Sequence, residues 1–197
     1  MWGVERKRDS TGEGARRRYA LLIAMRTLLP DPPPADFEQL LERRRRWGAD
    51  THDEVWEGVL HMTPAAHRRH AKIQAQLLRL LGPPADAAGL GVIGEFNLGE
   101  PDDYRVPDGG LHRPGPDELW NATAALVVEI LSPGDESWEK LPFYAEHHVD
   151  ELLIVDPDER AVHWLALDEV QGEYRATDCS RLIDLGPAQL AGQIDWP

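Results

Sequence analysis

The sequence predicts a mixed α/β fold: a single domain in which a mixed β-sheet is flanked by helices. Three observations carry that expectation. The chain has 197 residues, a length typical of one domain. Residues 124–133, AALVVEILSP, hold seven apolar side chains around one acid, the pattern of a strand buried on both faces. Strand-like runs on either side alternate with two substantial helical patterns, which suits one twisted sheet with helices packed on it.

Residues 1–27 are expected to be a basic, flexible N-terminal extension, and residues 28–197 the domain. The first 24 residues hold six Lys/Arg against three acids. A start-site extension before Met25, a bound tail and a short helix all fit this head. The apolar run in RRRYALLIAMR ends at Arg26, far short of a membrane span. DPPPADFEQLLERRRRW then predicts an amphipathic helix with Asp36 as N-cap and Phe37, Leu40 and Leu41 at helical spacing. DEVWEGVLHM predicts a β-hairpin turning at Glu57-Gly58, its second strand closed by Thr63-Pro64. Residues 65–81 predict a helix with Ile73, Leu77, Leu80 and Leu81 on one stripe, stopped by Gly82-Pro83-Pro84.

Residues 89–115 predict two strands joined around GEPDD, followed by a polar loop to Trp120. Within them Gly109-Gly110-Leu111 looks looser than an aliphatic strand. After the buried strand a helix is expected from Ser137 as N-cap to about His148, with Pro142 forcing a kink or a late start. ELLIVDPDERAVHWLALDE predicts a strand, a turn at Asp156-Pro157-Asp158 and a second strand, and EYRAT one more.

Charge narrows the function. With 21 basic and 35 acidic side chains the net charge is -14, and because the first 24 residues are +3 the remainder carries -17. Coating nucleic acid by charge alone is excluded, since phosphate binding rests on Lys/Arg neutralisation. Any nucleic-acid chemistry has to come from a local site. The single cysteine, Cys179, rules out an intramolecular disulfide and a cysteine-rich zinc site, and fits a reducing, cytoplasmic setting.

Glu129 is the single acid of the buried strand, and a buried charge requires a partner. A metal ion or a lysine is one solution; an arginine or a helix N-terminus is another. Asp108 follows Pro107 on the preceding strand, where it reads either as a turn residue or as a second carboxylate beside Glu129. Paired carboxylates from neighbouring strands suit Mg²⁺, which takes few protein ligands and keeps several waters. Lys140 is one of three lysines against eighteen arginines, and shares a helical face with Tyr144 and His147. Either it belongs to the same site or it lies on a solvated face.

The Glu57-Gly58 hairpin, the helix opening near His70, Pro107-Asp108, VVEILSP at residues 127–133, and Lys140 with Tyr144 together form a recognisable set. On these residues, over roughly 54–167, the chain resembles the Uma-type (Uma two) restriction-endonuclease family of the PD-(D/E)XK nuclease superfamily. The resemblance implies a restriction-endonuclease-like fold and a metal-dependent endonuclease that hydrolyses phosphodiester bonds in DNA. It implies that Asp108 and Glu129, with the carbonyl of Ile130, hold Mg²⁺ or Mn²⁺. Leu131 stands where the superfamily usually has its lysine, so the resemblance implies that the amine has moved to the next helix as Lys140. Glu57 is the candidate for an additional catalytic acid, with Glu54 its rival. DNA is the implied partner, with no membrane, and double-strand cutting would favour a homodimer. An inactive relative that binds a nucleic acid or a protein is the alternative, and a hydrolase of another phosphoester a third reading.

Two further patterns carry less. A strand, a loop and a helix start separate His61, His67 and His70, which argues against a shared zinc. Arg43 to Arg46 with Arg68, Arg69 and Lys72 form either a phosphate-tracking patch or solvated helix faces.

Overall fold

The computed structural model of the chain describes Met25–Arg26 and residues 35–63, 66–134 and 136–197. Apart from Met25–Arg26, the extension expected over residues 1–27 lies outside the described residues, as does Pro64. The described chain begins with β1 (Met25–Arg26) and α1 (Ala35–Trp47). Asp36 lies inside the first turn of α1 rather than capping it, where its charge still meets the positive end of the helix dipole. β2 (Glu54–Trp56) and β3 (Val59–Met62) form the expected hairpin. Glu57 and Gly58 both take positive φ, 49° and 80°, the combination whose twist matches the flanking strands. Arg44 of α1 holds both carboxylate oxygens of buried Asp53, and Asp53 also accepts the Thr63 N–H at 2.9 Å.

α2 (Arg68–Ala87) runs through Gly82-Pro83-Pro84 instead of stopping there. The stripe Ile73, Leu77, Leu81 continues to Ala85, and all four side chains are fully buried. Burying one more turn outweighs the two backbone donors that Pro83 and Pro84 lack. Next come β4 (Gly91–Ile93), β5 (Asn97–Glu100), β6 (Asp103–Arg105), β7 (Gly109–His112) and β8 (Trp120–Asn121), where two strands were expected. The hairpin around GEPDD is β5 with β6. The glycine segment that looked loose is the buried strand β7. A Cβ on Gly110 would lie 2.6 Å from the Leu126 carbonyl oxygen and 2.9 Å from the Phe96 ring, so this glycine serves close approach rather than flexibility.

β9 (Leu126–Ile130) is buried along its whole length, as its sequence predicts. The helix after it starts late: a 3₁₀ turn over Ser137–Lys140 precedes α3 (Leu141–Glu146), with Pro142 in the first turn, where its missing N–H costs nothing. Ser137 is buried within the 3₁₀ turn and does not cap it. β10 (Glu151–Asp156), β11 (Ala161–Asp168) and β12 (Glu173–Ala176) match the expected strands, and the short α4 (Pro187–Ala191) was not foreseen.

The strands form two sheets, not one. The first has the order β1-β3-β2-β6-β5-β8 and the second β12-β11-β10-β9-β7-β4. Alternation of apolar residues identifies strands but not the ladder each one joins, which is why one sheet was expected. β9 and β10 at the centre of the second sheet run parallel, with the 3₁₀ turn and α3 as their crossover. One face of this sheet packs Leu126, Val128 and Ile130 against α2 and the C-terminal segment around Leu190. The other packs Val127, Leu152 and Ile154 against Phe143 and Tyr144 of α3 and Leu98 of the first sheet. Among the described residues, no helix is long and apolar enough to cross a membrane.

Candidate active site

Side chains alternate along a strand, so Glu129 shares the face of Val127 and points between the second sheet, α3 and the first sheet. It is 4% exposed. Its Oε1 accepts hydrogen bonds from Lys140 Nζ at 3.0 Å and from the Tyr144 hydroxyl. Lys140 sits where the 3₁₀ turn becomes α3, and its Nζ also donates to Glu54 Oε1 at 2.8 Å. Glu54 is fixed in turn: Oε1 accepts the Val106 N–H at 2.8 Å and Oε2 the Trp56 indole N–H at 2.7 Å. Behind it the Arg105 guanidinium lies between the rings of Trp56 and Phe143, at 4.5 and 3.9 Å from their centroids.

Asp108 arrives from the neighbouring strand. The pairing of Gly109 with Val128, continued by one residue, sets Asp108 across from Glu129. Its Oδ2 accepts the Ile130 N–H at 2.7 Å and its Oδ1 the His70 Nε2–H at 2.7 Å. Gln74, one turn along α2, donates to the Asp108 carbonyl at 2.8 Å. Ser132 Oγ is 3.4 Å from His70 Nδ1.

Three carboxylates thus converge where one ammonium is bonded. Burial pushes the Glu129 carboxyl up to about 8; the Lys140 ammonium pulls the other way, while the Asp108 and Glu54 charges add to the rise. Burial alone would lower Lys140, but Glu129 and Glu54 outweigh it and hold the ammonium above its ordinary value. Burial, with the same two carboxylates, pushes the Tyr144 phenol well above its ordinary range. Lys140 is therefore a permanent donor and not a proton acceptor. A carboxyl that holds its proton into neutral pH beside two other acids marks a place short of positive charge. Among the described residues no three His, Cys, Asp or Glu side chains form a metal cage. The donors present, hard oxygens from two adjacent strands, fit an ion that keeps most of its water.

The structure brings together Asp108, Glu129 and Lys140 from the expected set. It does not bring in Glu57, which sits at the exposed hairpin turn with its N–H on Asp103 Oδ1 at 3.1 Å; the acid in the cluster is its rival Glu54. Turn geometry explains this, because Glu57 leaves the sheet while Glu54 and Trp56 share a strand face. His147, expected on one helical face with Lys140, follows the last residue of α3 and stacks on Phe143, 4.0 Å between centroids. The three histidines considered for zinc have separate partners: His61 stacks on Trp56, His67 accepts the Arg69 N–H at the start of α2, and His70 holds Asp108. The arginine-rich stretches are partly committed within the protein, Arg44 to Asp53, Arg69 to Asp158 and Lys72 to Asp195. Sequence reasoning named His70 only among the residues of the family resemblance and the three histidines weighed for zinc, and did not foresee its contact, or that of Gln74, with Asp108.

Glu129 on central strand β9, Asp108 just before the neighbouring β7 and Lys140 on the following crossover stand on a mixed sheet of the restriction-endonuclease-like fold class. The chain belongs to the Uma2 family, described as "Putative restriction endonuclease", whose model matches residues 34–191. The fold is also that of a protein from Anabaena variabilis described as "a putative nuclease belonging to DUF820". The two share 17% identity and a TM-score of 0.58, over 72% of this chain and 90% of that one. A search of curated proteins finds no match.

Proposed function

We propose that the protein is a divalent-metal-dependent endonuclease that hydrolyses phosphodiester bonds in DNA. The observation that carries this reading is Lys140 bonded to Glu129 while Asp108 stands across the ladder from Glu129. Asp108 and Glu129 would hold Mg²⁺ or Mn²⁺. When bound, such an ion polarises the phosphoryl group and lowers the pKa of its water. Lys140 has three N–H donors, two of them on Glu54 and Glu129; the third orients the attacking water or meets charge developing on the phosphate. Glu54 keeps the ammonium in place, and Trp56 keeps Glu54 in place. Tyr144 fixes Glu129 Oε1 so that the carboxylate presents one orientation.

Plasmid DNA incubated with the protein in Mg²⁺, Mn²⁺ or EDTA tests this. Cutting is expected with either ion and not in EDTA, and Glu129→Ala or Lys140→Ala should lower the rate about 100-fold or more. Absence of cutting by the parent under every ion, or equal cutting by Glu129→Ala, would overturn the proposal. DNA retention without cutting would favour a binding module on the same fold.

A further inference from the structure

Asp108 stands just before β7, and its two carboxylate oxygens are held from different elements: the Ile130 N–H of β9 reaches Oδ2 and α2 reaches Oδ1. His70 and Gln74 lie four residues apart on one helix face, and they grip the same residue twice, His70 by the carboxylate and Gln74 by the main-chain carbonyl. Because a carboxylate only accepts, the His70 ring carries a hydrogen on Nε2. The helix behind them is fixed by Ile73, Leu77 and Leu81, fully buried against the second sheet. Gln74 is itself braced by Glu95 Oε1 at 3.0 Å, and Glu95 by His52 at 3.3 Å.

We propose that His70 and Gln74 are positioning residues that set the Asp108 carboxylate for a divalent cation, a role that rests on the metal-dependent reading above. Ligating carboxylates held by outer hydrogen bonds commonly lose about 10–100-fold in metal affinity when those bonds are removed. Neither residue touches the reacting atoms. Their effect therefore falls on metal affinity and on the concentration of metal needed for cutting, more than on the rate at saturating metal.

The test is direct Mn²⁺ titration of the full chain, followed by electron paramagnetic resonance of free Mn²⁺ and by calorimetry. The proteins compared are the parent, His70→Ala, His70→Gln and Gln74→Ala, each checked for folding by circular dichroism. His70→Ala should weaken Mn²⁺ binding about 10–100-fold, and Gln74→Ala should weaken it in the same direction. His70→Gln keeps an N–H donor and should recover much of the loss. In plasmid cutting the half-saturating Mn²⁺ concentration should rise while the rate at saturation changes far less. If the parent binds Mn²⁺ and folded His70→Gln, His70→Ala and Gln74→Ala bind it equally well, the clamp is wrong and the metal reading survives. If the parent binds no Mn²⁺, the metal reading falls and the clamp with it.

Discussion

At the scale of single residues, burial and charge conflict most sharply at Glu129. Its folded carboxyl titrates near 8 against an ordinary value of 4.5, so the folded chain binds this proton more tightly than the unfolded chain does. That contribution to stability is fully present below pH 4.5 and is lost as pH rises through about 8. In EDTA the parent should therefore lose on the order of a few kcal/mol between pH 5 and 9 from this group. Glu129→Gln, which stays neutral, should show a flatter profile and be the more stable of the two at pH 9. Denaturant midpoints at several pH values measure it, and parallel profiles for the two proteins would refute it. Glu129, Asp108 and Lys140 stood out in the sequence as an acid in an apolar strand, a Pro-Asp step and a lysine where arginine is the rule, but only the family resemblance joined them into one candidate site. Glu54 was not separable from Glu57 until the turn was known. The His70–Asp108 contact joins residues 38 apart, a pairing that no local pattern encodes.

At the scale of elements, the strands with strong alternation or continuous apolar runs were readable, and so was the turn at Glu57-Gly58. Two elements were misjudged because tertiary packing overrode local chemistry: α2 passes through two prolines to bury Ala85, and β7 uses glycines in a buried strand. The second case makes a sharp prediction. Gly110→Ala would drive a methyl group into the Leu126 carbonyl, which is backbone and cannot swing aside, and into the Phe96 ring. Overpacking of this kind costs about 1–3 kcal/mol. Thermal melts should show the loss, and Mn²⁺ affinity should fall as well because Asp108 lies two residues away. A variant as stable as the parent would mean that β7 can separate from β9 without penalty.

At the scale of the whole molecule, the net charge of -14 repels a polyanion, so on the proposed reading DNA would be held by a few cations and by the ion at the site. Arg43, Arg45 and Arg68 are exposed. With about three or four phosphate contacts, duplex binding in Ca²⁺ should weaken roughly 40–150-fold between 50 and 200 mM salt. Affinity that ignores salt would place recognition elsewhere. The Lys140–Glu54 pair has one more consequence, for assembly. It closes a loop of 86 residues and joins the crossover helix of one sheet to a hairpin strand of the other. Non-local closures of that length form slowly. In refolding from denaturant, helical signal should recover before plasmid cutting does, because the Lys140–Glu54 contact exists only once the two sheets have met.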